Sequence, residues 1–288
     1  GGVADSSRSG FDLRKVSSRG ALFLNSQTGS YLYVPDPVAI NALTGSVNDT
    51  FGLTVTDHAS ATATQTLTVT IHGTNDVPQV TNAASATLGS VTEAGHLDDG
   101  TVSAGTPTVS GTLSVSDVDT GASRSWSLQG TPSSTYGTLA LNTSTGVWTY
   151  TLDNSLSATQ ALKEGQSVTQ TYTARATDDF GAWVDQSLTV TVAGTNDVPE
   201  IVSSAANAQG AVVEAGNADD GSVVAGTATA SGHVLASDPD HAAVLVYEFE
   251  GEVSTRYGTI SLNRDTGQWV YTLDNTLTAT QNLREGQQ

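Results

Sequence analysis

The chain contains no cysteine and no methionine, not even at position 1, and only 10 of its 288 residues are Lys or Arg. Aromatic residues make up 6% and charged residues 14%. The lack of cysteine excludes disulfides, thiolate chemistry and every zinc site that needs a sulfur ligand. No apolar run approaches the roughly 18 residues that span a bilayer, and no charged start followed by a short apolar core reads as a secretion signal. The shortage of basic residues, set against 29 acidic ones, leaves a net charge of −19. That charge repels phosphate backbones and anionic lipids, so nucleic-acid binding and membrane insertion are not expected, and metal cations are the natural partners. The missing methionine, and an end at Gln288 without a closing element, point to a piece of a longer chain. What is abundant is Thr, Ser, Val, Ala, Gly, Asn and Asp, a composition of strands and turns rather than helices.

An internal repeat organises the chain. Gly73-Thr74-Asn75-Asp76-Val77-Pro78 recurs as Gly194-Thr195-Asn196-Asp197-Val198-Pro199, at an offset of 121 residues. The register holds throughout. Glu93 falls on Glu214, Asp117 and Asp119 on Asp238 and Asp240, and Trp148, Tyr150 and Asp153 on Trp269, Tyr271 and Asp274. The first 72 residues read as the back half of a diverged copy, in which Tyr31 and Tyr33 fall on Trp148 and Tyr150, Phe51 on Tyr172, and Asp57 on Asp178. Residues 1–19 align poorly, with Phe11 and Leu13 expected in the places of Trp126 and Leu128. The expected domains are therefore 1–72, a partial repeat; 73–193, a complete repeat; and 194–288, a repeat cut before its last strands.

Alternation with period two predicts seven strands in the complete copy: 78–83 with 86–92, 108–116, 124–129, 137–142, 146–152, 168–177 and 183–193. A short helical turn is expected only within 155–163. Seven short strands in about 120 residues fit an all-β fold of tandem immunoglobulin- or cadherin-like β-sandwich modules, with Trp126, Trp148, Tyr150 and Leu188 in the core. Modules abutting without a Gly/Ser-rich linker imply an elongated, monomeric rod, each module ~40 Å long.

Antiparallel strands reverse at each loop, so the end of the sandwich on which a loop lies can be counted. Asp117, Asp119, Asp178 and Asp179 fall at the end where the module begins, beside Asn75 and Asp76. Glu93, Asp98, Asp99, Asp153 and Glu164 fall at the opposite end, facing Asn196 and Asp197, where Asp238 and Asp240 of the next repeat complete the set. Asp57 and Glu214 are the repeats of Asp178 and Glu93. So many like charges at one junction need neutralising, and oxygen ligands without cysteine suit Ca²⁺, which takes six to eight oxygens. Residues 73–193 carry 11 acidic and 3 basic side chains, a net of −8 that bound dications would balance. The competing reading is that these residues build Asx turns and a soluble surface. Asp117-Val118-Asp119-Thr120-Gly121 lacks the third ligand and closing glutamate of an EF-hand.

Gly-Thr-Asn-Asp-Val-Pro, the Ser-Asp-x-Asp turn and Gly-x-Trp-x-Tyr-x-Leu-Asp-Asn resemble the VCBS repeats of bacterial RTX-type adhesins, over 73–288 and more weakly over 20–72. The resemblance implies a cadherin-like sandwich, type I secretion to the extracellular cell surface of a Gram-negative bacterium, and calcium at module junctions. It would make Asn75, Asp76, Asn196 and Asp197 linker ligands beside Asp117, Asp119, Asp238 and Asp240. The expected function is a structural extender supporting cell adhesion and biofilm formation, with calcium ions and neighbouring repeats as partners and any glycan or surface ligand engaged by other domains. Catalysis is not expected. Its carboxylate pair recurs at each module boundary, the five histidines do not align at 121 residues, and no Gly-x-Ser-x-Gly is present. The alternative is a calcium-dependent carbohydrate- or surface-binding module, for which Trp183, after Phe180-Gly181-Ala182, is the candidate stacking platform.

Overall fold

The computed structural model describes residues 2–97, 99–251, 253 and 255–284. These residues form an all-β protein of tandem repeats with a few single-turn helices. In the middle repeat one sheet runs in the order Thr108–Thr112, Val147–Leu152, Gly137–Leu141. A second runs Arg124–Leu128, Ser167–Asp178, Trp183–Ala193, Leu88–Thr92. Alternation along each strand sends one row of side chains inward: Trp148 and Tyr150 from the first sheet, Trp126, Tyr172, Leu188 and Val190 from the second. The Tyr150 and Tyr172 rings meet with centroids 6.2 Å apart. The buried Trp148 Nε1 donates to the Ala86 carbonyl at 2.8 Å, so the indole loses no hydrogen bond on leaving water. Gly111 makes room for it, because a Cβ there would lie 2.7 Å from Trp148 Nε1. A short ladder of Gly95–His96 with Val102–Ser103 was not among the expected strands.

The first repeat departs from its expected alignment. Leu13–Val16 pairs with Gly20–Leu24, whereas Arg124–Leu128 pairs with Ser167–Asp178 in the other sheet. Leu13 therefore does not occupy the place of Leu128. Only three residues separate Val16 from Gly20, and so short a connection forces a hairpin with the next strand; the eight residues between Leu128 and Gly137 allow a crossing to the other sheet. Phe11 packs on Phe23 at 6.4 Å instead. The hairpin Ser46–Thr56 with Thr62–His72 buries Phe51 and, on the same face, Asp49. Burial opposes ionisation of Asp49, but hydrogen bonds from Ser17, Tyr33 and Arg19 outweigh it and hold the carboxyl below its usual pKa.

The third repeat pairs Thr229–His233 with Gln268–Leu273 and Gly258–Leu262 with the same strand, as its predecessor does. Trp269 and Tyr271 are only half-buried, and an apolar cleft of about 280 Å³ opens beside Val234, Tyr247, Phe249, Ile260 and Trp269. In the middle repeat Ser167–Asp178 and Trp183–Ala193 supply the second layer at the corresponding place.

Contacts group the chain into two compact units that cut across the sequence repeat: Gly1–Ser90 with Thr108–Thr151 and Thr169–Thr191, and Val91–Pro107 with Leu152–Val168 and Val192–Gln288. Each unit contains one complete Asn-Asp-Val-Pro linker. Among the described residues no helix is long and apolar enough to cross a membrane.

Candidate metal centres

Each linker starts from a glycine wedged under a single-turn helix. The Gly73 N–H donates to the Gly45 carbonyl at 3.1 Å and the Gly194 N–H to the Gln166 carbonyl at 2.9 Å. A Cβ at 73 would lie 1.9 Å from the Leu43 carbonyl oxygen, and one at 194 would lie 2.0 Å from that of Leu162, so only glycine lets the chain leave the repeat so close to the helix. The helices are Pro37–Asn41 and Ser157–Gln160, the second inside the turn predicted over 155–163. In the first, Asp36 caps the N-terminus by accepting from Val38 and Ala39 N–H.

In the unit holding the first linker, Asp119 is buried and its Oδ2 accepts from the Asp76 N–H at 2.8 Å. Asp117 Oδ1 accepts from the Asp119 N–H at 3.1 Å, which folds the Asp-Val-Asp loop toward the linker. The Asn75 side-chain amide donates to the Asp76 carbonyl at 2.9 Å and to Asp178 Oδ2 at 2.8 Å. Burial opposes ionisation of Asp178, but Asn75 and the N–H groups of Ala182, Phe180 and Gly181 outweigh it, so this carboxyl stays below its usual pKa. Asp178 is thereby a support for Asn75. Two oxygens remain: Asp117 Oδ2 and Asp119 Oδ1 are buried and have no hydrogen-bond partner.

The second linker reproduces the pattern. Asp240 Oδ2 accepts from the Asp197 N–H at 2.9 Å, Asp238 Oδ1 accepts from the Asp240 N–H at 2.9 Å, and the Asn196 amide donates to the Asp197 carbonyl at 2.8 Å. Asp240 Oδ1 and Asp197 Oδ2 are buried without a partner, as is Nδ1 of His96, whose backbone bridges to Asn196. This unit adds Glu93, which is 0% exposed. Its Oε1 accepts from the Gln160 amide at 2.8 Å, and its backbone carbonyl accepts from the Thr195 hydroxyl at 2.8 Å. Burial, with the charges of Asp197 and Asp240, pushes the Glu93 carboxyl up to about 7. Burial and the charges of Asp240 and Asp238 raise Asp197 as well. A raised carboxyl can mark a catalytic acid, but Glu93 has no exposed surface for a substrate to reach.

Three of the remaining expected ligands are held in local turns. Asp99 accepts from the Thr101 N–H and hydroxyl, Asp153 from those of Ser155, and Asp57 from the N–H groups of Ala59 and Ala61; all three are exposed. Asp179 is exposed and Glu214 half-buried. Asp98 lies outside the described residues. Gln160, Thr195 and His96 were not anticipated; the sequence mark of Gln160 is its place at the end of the helical turn preceding the linker.

A buried carboxylate oxygen without a donor costs several kcal/mol unless a cation meets it. Four such oxygens, two at each linker and all from the repeated Asp-x-Asp and Asn-Asp positions, fit a hard divalent cation. Among the described residues no three His, Asp or Glu side chains form a complete metal-binding group by themselves. Calcium draws much of its shell from backbone carbonyls, Asn and water, which such a count leaves out.

No family model matches the sequence, and no curated protein matches it. Solved structures similar to the chain include the protocadherin gamma B4 extracellular domain (18% identity, TM-score 0.37, covering 90% of this chain and 39% of that one). Others are mouse cadherin-23 EC22–24 (18%, 0.40, covering 91% and 74%) and human CDH23 EC21–23 (16%, 0.44, covering 88% and 74%). The chain thus spans well under half the length of the first of these.

Proposed function

We propose that the chain is a spacer from the extender region of a large secreted adhesin on a bacterial cell surface, with junctions stiffened by calcium in support of adhesion and biofilm formation. The observation that carries the calcium reading is the set of buried, donorless carboxylate oxygens repeated at both linkers. The bacterial and secretory setting rests on the resemblance of 73–288 to VCBS repeats. Asp117, Asp119, Asn75 and Asp76 would hold ions at the first junction; Glu93, Asn196, Asp197, Asp238 and Asp240 would do so at the second. Calcium would supply the positive charge that lets these oxygens approach one another. The chain's own part is to bring them from linker and loop: Asp119 and Asp240 are tied to the linker N–H groups, so bending at Asn-Asp-Val-Pro would pull the oxygens apart. Affinity is expected on the order of 10⁻⁴ to 10⁻³ M, as for extracellular modules.

Small-angle X-ray scattering in millimolar calcium, in chelator and in magnesium tests this reading. The expected result is a stiffer particle with calcium alone, since magnesium demands smaller, more regular octahedral geometry. Identical profiles in all three would return the acidic loops to the status of turns.

A further inference from the structure

The outer face of the hairpin Ser167–Asp178 with Trp183–Ala193 carries a cluster that the spacer reading leaves unused. Trp183 is 49% exposed, far more than the core indoles of Trp126 and Trp148. The Arg175 guanidinium lies 3.5 Å from the centroid of its ring. Arg175 is itself fixed, because Nε and Nη2 donate to Asp185 Oδ1 and Oδ2 at 2.7 and 2.8 Å. A bidentate pair with a stacked cation holds the indole in place, with one ring face on the guanidinium and about half its surface in water.

The hairpin does not need this cluster. The first repeat builds the same two strands with Thr54, Thr62 and Thr64 at the equivalent positions, and Thr54 faces Thr64 in register. An exposed, pinned tryptophan at one copy of a repeated element is therefore an addition to the scaffold.

The chemistry around the ring defines what it would hold. Asp185 has accepted two hydrogen bonds and has lone pairs to spare; Arg175 has given two N–H groups and has others left. Ser127 sits opposite Arg175 on the neighbouring strand, with its side chain exposed. The surface thus offers a flat apolar face fenced by hydroxyl, carboxylate and guanidinium groups, in which the Arg175 cation is already neutralised by Asp185. An anionic ligand would gain no free positive charge and would meet a chain of net charge −19. An apolar peptide would have to strip water from the spare groups of the ion pair without replacing their hydrogen bonds. A pyranose satisfies both halves, with its C–H face against the indole and its hydroxyls at the polar rim.

We propose that Trp183, held by Arg175 and Asp185, stacks a neutral pyranose ring of an extracellular glycan. The platform makes this repeat a low-affinity glycan contact as well as a length of spacer. The test is titration of the 288-residue chain in calcium with cellohexaose, laminarihexaose and maltohexaose, with hexagalacturonate as the anionic control, read by tryptophan fluorescence and calorimetry. At least one neutral hexasaccharide is expected to bind at millimolar concentration and to shift the emission. Trp183→Ala should weaken that binding about tenfold or more and abolish the shift, while Trp183→Phe retains part of it. Arg175→Gln, which leaves the indole in place but unpinned, should weaken binding without altering the melting curve. Binding of no neutral hexasaccharide, binding of hexagalacturonate alone, or undiminished binding by Trp183→Ala overturns the proposal.

Discussion

Asp119→Asn and Asp240→Asn should change sign between calcium and chelator. Each keeps an oxygen for the linker N–H it now serves, Asp76 or Asp197, and removes one negative charge from a buried site. In excess chelator the variants should be at least as stable as the parent, because an unneutralised buried carboxylate has been replaced by an amide. In calcium they should be less stable. A bound ion at 100 times its Kd contributes about 2.7 kcal/mol, and a junction that no longer binds loses that contribution. Scanning calorimetry with and without calcium reads both signs. The double variant Asp117→Ala with Asp119→Ala should go further, leaving the 73–78 linker flexible while the sandwich around Trp148 stays folded. An aspartate that only made a turn would give a small effect of the same sign in both conditions, and unfolding of the whole middle repeat would mean that the ion serves its core.

The second large effect is a pH dependence confined to calcium-free protein. Glu93 stands at about 7 against an ordinary 4.5, through burial and the neighbouring Asp197 and Asp240. A carboxyl whose folded pKa exceeds its unfolded value holds its proton more tightly when folded, so its contribution to stability is complete below about 4.5 and is lost as pH rises through about 7. Without calcium, stability should therefore fall between pH 5 and pH 8, by on the order of 3 kcal/mol from Glu93 alone, and Asp197, raised in the same direction, should add to the fall. Glu93→Gln should flatten most of this slope in thermal melts taken across that range in chelator. With calcium bound, the wild-type slope should reverse or vanish, since the ion binds the deprotonated form.

Much of this arrangement was legible from periodicity. The 121-residue offset and the period-two alternation located the strands of the middle repeat and the burial of Trp126, Trp148, Tyr150 and Leu188. Strand parity placed Asp117 and Asp119 with Asn75 and Asp76, and that is where the Asp119–Asp76 bond forms. Parity does not say which carboxylates turn inward, and there the acidic residues at the far end of the repeat divide. Asp99, Asp153, Asp220 and Asp274 are each followed two residues later by Ser or Thr, whose N–H binds the carboxylate in a local turn. Glu93 is followed by Ala94 and Gly95 and has no such partner; its side chain goes inside to Gln160. In these loops Asp-x-Ser/Thr thus marks turn carboxylates, a local pattern that could have been applied to the sequence; within a strand it does not, since Asp185, two residues before Ser187, pairs with Arg175 instead. Asp49 had a signal too, because it alternates onto the buried face of Phe51. The early strands of the first repeat were not legible, since pairing there is decided by loop length within a poorly aligned stretch.

Whether ions bridge linker and loop is seen at atomic level in a crystal structure of this chain grown in millimolar calcium, with anomalous differences collected at a long wavelength. Calcium peaks are expected about 2.3–2.6 Å from Asp119 Oδ1 and from Asp240 Oδ1, with Asp117 sharing the first and Asp197 the second. Junctions in which those oxygens face only ordered water or protein donors, with no anomalous signal, would contradict it.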